Sequence, residues 1–251
     1  MKKHLATAIG AVLIVASLAA CSSGSTVSPS TTATASSGSS AAAQRNNRTY
    51  TKADLARILG LVNSRLKLGG SVEVKDGADT EAVDALDSFL ASGQVTVTPA
   101  SCLKLITSDE QLVSDLGSRP VIAGILSSSR LNLIATTVPA GGLPSSLSSN
   151  FASRQSAILS SCKHLTIVAT DGGKTASVAV DFTPLAVRTS ASQSIGFRES
   201  FAITGVGGGS STRTTLEAVD GNLLLFVSGV SVQDEVDLEK AVNAVISAAK
   251  H

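Results

Sequence analysis

The side chains able to titrate, coordinate or attack are few in this chain, and one is conspicuous by its neighbours. Along Ile195, Phe197, Glu199, Phe201 and Ile203, four alternate positions are large and apolar and the fifth is a carboxylate. A carboxylate facing a core is costly unless it is paired, and carboxylates in perturbed surroundings gather at functional sites. Glu199 is therefore a candidate functional carboxylate. A bulge turning it to solvent, or a structural pairing with Arg198 or Arg213, is the simpler account. Histidine occurs at His4, His164 and His251. A Ser-His-Asp hydrolase would have to rest on His164, and no G-x-S-x-G elbow accompanies it. Ser160-Ser161-Cys162-Lys163 and Ser101-Cys102-Leu103-Lys104 both fit S-x-x-K, but the companion S-D-N and K-T-G are missing. Gly205-Val206-Gly207-Gly208-Gly209 lacks the G-K-[ST] ending of a phosphate loop and joins two strand candidates, so it reads as a hairpin loop. Asp76, Asp79 and Glu81 could offer oxygens to a hard cation, yet acidic residues at a helix start match its dipole equally well. Cys162 and His164 are too few ligands for a soft metal. The sequence assigns no catalytic residue, no metal and no cofactor.

The elements that must position these residues follow from periodicity. Thr51 caps a helix in which Leu55, Ile58, Leu59 and Val62 share a face, running to Leu66 and ended by Gly69-Gly70. Ser71 to Lys75 and Val95 to Thr98 are short strands. Between them Asp79 caps a second helix carrying Val83, Leu86, Phe89 and Leu90 on one face, and a further helical stretch runs around Asp109 to Leu116. Val121 to Val138 contains two strands, the second from Leu131 to Thr137. Ser145 to Ser161 reads as a helix, followed by Cys162. His164 to Thr170 and Lys174 to Phe182 flank Asp171-Gly172-Gly173 as a hairpin. Ser194 to Thr204 and Thr212 to Val219 bracket the glycine loop as a second hairpin. Asp220-Gly221 turns into Asn222 to Val230, apolar on both faces and so placed centrally. Asp234 to Lys250 closes the chain as an amphipathic helix. Successive hairpins with flanking helices predict an α+β fold: an antiparallel sheet with helices packed on one face.

The N-terminus fixes the expected compartment. Met1-Lys2-Lys3-His4 is basic, and Leu5 to Ala20 is an apolar run too short for a membrane span. Leu18-Ala19-Ala20-Cys21 resembles the bacterial lipobox, in which the cysteine is diacylated and the signal is cut before it. Two or three acyl chains suffice for stable anchoring. Residues 1–20 are thus expected to be a lipoprotein signal peptide, and Cys21 the lipidation site. From Ser22 to Asn47 the chain is nearly all Ser, Thr, Ala and Gly, which cannot offset its own ordering entropy. Residues 21–48 are expected to form a lipidated, disordered tether, and residues 49–251 a single domain on the extracytoplasmic face of the cell membrane.

Composition narrows the functions. Loss of Lys2 and Lys3 with the signal takes the basic residues from 20 to 18 against 19 acidic, so nucleic acid is not an expected partner. There is no Trp, one Tyr and six Phe, too few for stacking platforms. Once Cys21 is lipidated, only Cys102 and Cys162 remain, and an even pair in an exported chain reads as a disulfide.

Pro99-Ala100-Ser101-Cys102, the helix from Ser145, Cys162 after it, the hairpins and the closing helix together resemble the extracellular sensor-type domains of actinobacterial lipoproteins and of the PknH serine/threonine kinase. The resemblance covers about Tyr50 to His251. It implies a disulfide-bonded antiparallel sheet with helices and a cleft for an unidentified ligand. This chain departs from that family in having one cysteine pair and no tryptophan near the second cysteine. The expected function is a lipid-anchored, non-enzymatic sensor-like or ligand-binding domain whose partners are the membrane and a small-molecule, lipid or envelope-protein ligand. The alternative is a carrier of lipid or other apolar molecules with a closed cavity, and a hydrolase is the remaining reading.

Overall fold

The computed structural model describes residues 48–76, 95–103, 121–139, 142–143, 156, 158–171, 174–205, 208–229 and 234–250. Residues 1–20, Cys21 and the tether lie outside the described residues. So do the helical stretches expected from Asp79 and around Asp109 to Leu116, and most of the one from Ser145.

Helix α1 spans Lys52–Leu66. Thr51 and Asp54 form a reciprocal capping box, with the Asp54 amide 3.2 Å from the Thr51 hydroxyl and the Thr51 amide 2.9 Å from the Asp54 carboxylate. Those bonds from the Thr51 amide and hydroxyl hold the Asp54 carboxyl below its ordinary range, helped by Arg48 and Arg57. The helix ends at Leu66, where its apolar pattern ends, but Lys67 rather than the glycine pair caps it. Lys67 adopts a left-handed conformation at φ 52°, and its amide returns to the carbonyls of Asn63 and Ser64.

Among the described residues nine strands follow: β1 Ser71–Asp76, β2 Val95–Thr98, β3 Ile122–Ser127, β4 Leu131–Thr137, β5 His164–Asp171, β6 Lys174–Pro184, β7 Gln193–Thr204, β8 Gly209–Asp220 and β9 Leu223–Gly229. They form one sheet in the order β1-β3-β4-β9-β8-β7-β6-β5-β2. Every neighbouring pair is antiparallel. Gly221, at φ 60°, is the first residue of the two-residue β8–β9 turn, the position that demands positive φ in hairpin turns. A 3₁₀ turn at Ala100–Cys102 follows β2 and the cis Thr98–Pro99 bond. Helix α2, Asp234–Ala249, comes last.

The expected α+β fold with helices on one face is overturned. The fold is largely β, because one nine-stranded sheet dominates the described chain. That sheet is also covered on opposite faces at its two ends. Pleat alternation explains how: residues two apart share a face, so each strand serves both sides. On the first face, α1 and α2 pack over β1, β3, β4, β9 and β8, burying Leu55, Ile58, Leu59, Leu126, Leu133, Leu216, Leu225, Leu238 and Val242. Gly124 lets α1 approach closely, since a Cβ there would lie 2.7 Å from Leu59 Cδ1 and 3.3 Å from Leu55 Cβ. On the second face, the segments bearing Cys102 and Ile158 to Cys162 cover β2, β5, β6 and β7, burying Val97, Ile167, Val178, Val180, Phe182, Phe197 and Phe201. Burying each of these large side chains contributes about 1.5–3 kcal/mol. β8 takes part in both cores, offering Leu216 to the first and Val219 to the second.

Candidate functional site

Cys102 and Cys162 are disulfide-bonded, with Cα atoms 5.6 Å apart. Both are almost wholly buried in the second core. The 3₁₀ turn presents Cys102, while Cys162 closes a helical turn through its amide bond to the Ile158 carbonyl at 2.9 Å. Both S-x-x-K serine motifs contain one of these cysteines, and Lys104 of the first lies outside the described residues.

Glu199 faces inward on β7, and only 2% of its side chain is exposed. The β7–β8 register sets it opposite Arg213. Arg213 Nε donates to Glu199 Oε2 at 3.1 Å, and Nη2 donates to the same oxygen at 2.5 Å. Thr215, two residues along β8, donates its hydroxyl to Oε1 at 2.8 Å. Both carboxylate oxygens are thus engaged, as a buried charge requires. Arg213 also lies over the Phe201 ring, 5.3 Å from its centroid. Arg198, the adjacent alternative, points to the opposite face by strand alternation.

The guanidinium that Glu199 holds forms part of a groove wall. An open groove of about 300 Å³ lies on the second face of the sheet, beyond the end of the second core, lined in part by Ile125, Ile134, Phe226, Asn132, Ser228 and Arg213. The registers Ile125↔Ile134, Ile134↔Phe226, Ser127↔Asn132 and Asn132↔Ser228 explain its character. One cross-strand row is apolar and the next is polar, so floor and rim differ in chemistry. At the rim, Ser128 accepts the Arg130 amide at 3.2 Å and the Leu131 amide at 3.0 Å, which fixes the β3–β4 turn. Arg130 pairs with Asp237 of α2. That bond is the main reason the Asp237 carboxyl sits below its ordinary range. Glu199 was visible as a pattern break, but the groove draws on four strands that the fold brings together. Only the two-sided apolarity of β9, with Leu224 and Phe226 half-buried on this face, hinted at it.

The other candidates are dispersed. His164 Nδ1 contacts Asp181 on an exposed part of the sheet. The registers His164↔Asp181 and Asp181↔Ser200 put the aspartate between histidine and serine. Two strand spacings, about 10 Å, therefore separate His164 from Ser200. A serine nucleophile needs the histidine itself within hydrogen-bond reach. Asp76 pairs with Lys52, while Asp79 and Glu81 lie outside the described residues. Among the described residues no group of three or more His, Cys, Asp or Glu side chains could hold a metal. Gly205 ends β7 at φ 96°, where a Cβ would lie 2.6 Å from the Thr175 carbonyl oxygen, so this glycine of the loop serves the hairpin. Among the described residues no helix is long and apolar enough to cross a membrane.

No family model and no curated protein matches the chain. Solved structures are similar to it, two of them as follows. One is a protein of Mycobacterium smegmatis, an ortholog of Rv0999, at 14% identity and TM-score 0.38, covering 80% of this chain and 100% of that one. The other is the extracellular domain of PknH from Mycobacterium tuberculosis, at 13% identity and TM-score 0.40, covering 82% and 100%. At these values neither likeness carries a functional argument.

Proposed function

We propose that this protein is a lipid-anchored, non-enzymatic ligand-binding domain of the cell envelope, with a sensor-like role. Anchoring rests on Cys21 and the apolar leader before it. Binding rests on one observation: an open groove with an apolar floor, a serine-rich rim and a guanidinium fixed in its wall by a buried carboxylate. A volume of about 300 Å³ suits a small amphipathic molecule. Glu199 occupies two of the guanidinium's N–H donors and leaves others free to orient a ligand acceptor. The groove is open and partly polar, which favours a sensor-like role over a carrier that shields an apolar cargo from water.

The test is native mass spectrometry of protein purified from envelopes, comparing the natural chain with Ser228→Phe, which fills the groove. The expected result is a small bound species on the natural protein that is lost from the variant. Equal retention by both proteins would place the ligand elsewhere. Absence of any bound species, together with no thermal shift across a library of small amphipathic compounds, would refute the binding reading.

A further inference from the structure

We infer that the outward face of α1 is a docking surface for an anionic lipid bilayer. Arg57, Leu61 and Arg65 recur every four residues and form one exposed stripe, with Ser64 beside them. This stripe lies opposite the buried face of Leu55, Ile58, Leu59 and Val62. Leu61, at 50% exposure, is the most exposed large apolar side chain among the described residues. Lys67 at the C-cap is also exposed.

The charges on this helix are unevenly satisfied. Asp54 is taken by Arg48, and Asp76 by Lys52. Among the described residues, Arg57, Arg65 and Lys67 form no salt bridge, although Arg57 is near enough to help lower the Asp54 carboxyl. An apolar side chain flanked by two arginines, with Lys67 at the helix end, matches a phosphate-rich headgroup layer with acyl chains beneath it. The chain's layout agrees, because the segment from Ser22 to Asn47 leads straight into α1. With an anchor at Cys21, α1 is the first described element to follow it along the chain. The helices and the groove lie on opposite faces of the sheet, so docking through α1 turns the groove away from the membrane.

The experiment uses protein purified from envelopes and bound to vesicles. Its first measurement is co-sedimentation with neutral phosphatidylcholine vesicles, which reports the acyl anchor alone. The second is fluorescence quenching, by headgroup-located quenchers, of a probe on Ser64→Cys, with a probe on Asn132→Cys at the groove as reference. In phosphatidylglycerol-containing vesicles at low salt, Ser64 should be quenched several-fold more than Asn132. The excess should vanish near 1 M salt, where the Debye length falls to about 3 Å. It should vanish also in Arg57→Glu/Arg65→Glu and persist in Arg57→Lys/Arg65→Lys. Equal quenching at both probes, or an excess unchanged by charge reversal, would overturn the inference. Failure to sediment with neutral vesicles would instead count against the anchor. The docking face would then still be read from salt-sensitive binding to the anionic vesicles.

Discussion

Reducing the Cys102–Cys162 bond should have a large and localised effect. The bond closes a loop of sequence separation 60. In the chain-entropy treatment, releasing such a loop costs about 4 kcal/mol at 25 °C. Cys102 and Cys162 are 0% and 1% exposed, so reduction leaves two buried thiols that pack as small apolar groups. The loss is then almost entirely the cross-link. The comparison must be made on protein reduced while unfolded and refolded in reductant, because a buried bond is shielded from reductant in the native state. With a urea m-value near 2 kcal/mol/M, the midpoint should fall by about 2 M. At roughly 2–4 °C per kcal/mol for a domain of this size, Tm should fall by about 8–16 °C. Cys102 ends the 3₁₀ turn that continues from strand β2, which among the described residues pairs with β5 alone, over Val95–Thr98. Amide protection should therefore drop first in β2 and least in β8. A midpoint change under about 0.5 M would refute the reasoning, as would a uniform loss of protection across the sheet.

Three further outcomes follow from particular contacts. Arg213→Met should cost on the order of 3–5 kcal/mol by orphaning the buried Glu199, and adding Glu199→Leu should recover much of it; urea melts of both variants check this. Gly124→Ala should destabilise by about 1–3 kcal/mol through crowding of Leu55 and Leu59, read as a shift in the thermal midpoint. Burial raises the Asp220 carboxyl above its ordinary range, against the opposing pull of Lys250. A raised folded-state value means that stability falls as pH rises through it. Asp220→Asn should therefore stabilise the protein at neutral pH, and the gain should disappear below about pH 3.8; melts across that range test the sign.

Much of the architecture was legible because strand alternation and turn chemistry are local. Lys174 to Phe182 alternated as a half-buried strand beside Asp171-Gly172-Gly173, and the structure pairs β5 with β6 there. Both bounds of α1 were legible, its start in Thr51 and its end at Leu66, but the left-handed cap that the following glycines suggested for themselves falls to Lys67. The balance of fold class was not legible. Period-two patterns say that a strand has two faces, but not which neighbours share them. Leu216 and Val219 each look like core residues of one sheet, yet they belong to different cores. Glu199 stood out as a single charge among apolar residues, but its partner depended on register. Arg198 was as near in sequence as any candidate, and strand alternation sends it to the wrong face. The groove was hidden for the same reason, since Ile125, Ile134, Phe226 and Arg213 meet only through strand order.

The position of β8 between two cores has a consequence for how the protein melts. Its residues Gly209 to Val219 pair with β7 on one side, and Thr214 to Asp220 with β9 on the other. Neither the helix-covered end nor the disulfide-bearing end can detach without stripping one ladder from this strand and baring apolar side chains on both faces. The two ends are thus coupled by a shared backbone element rather than by a linker. Heat or denaturant should meet one cooperative unit, with β8 the last segment to exchange its amides with solvent.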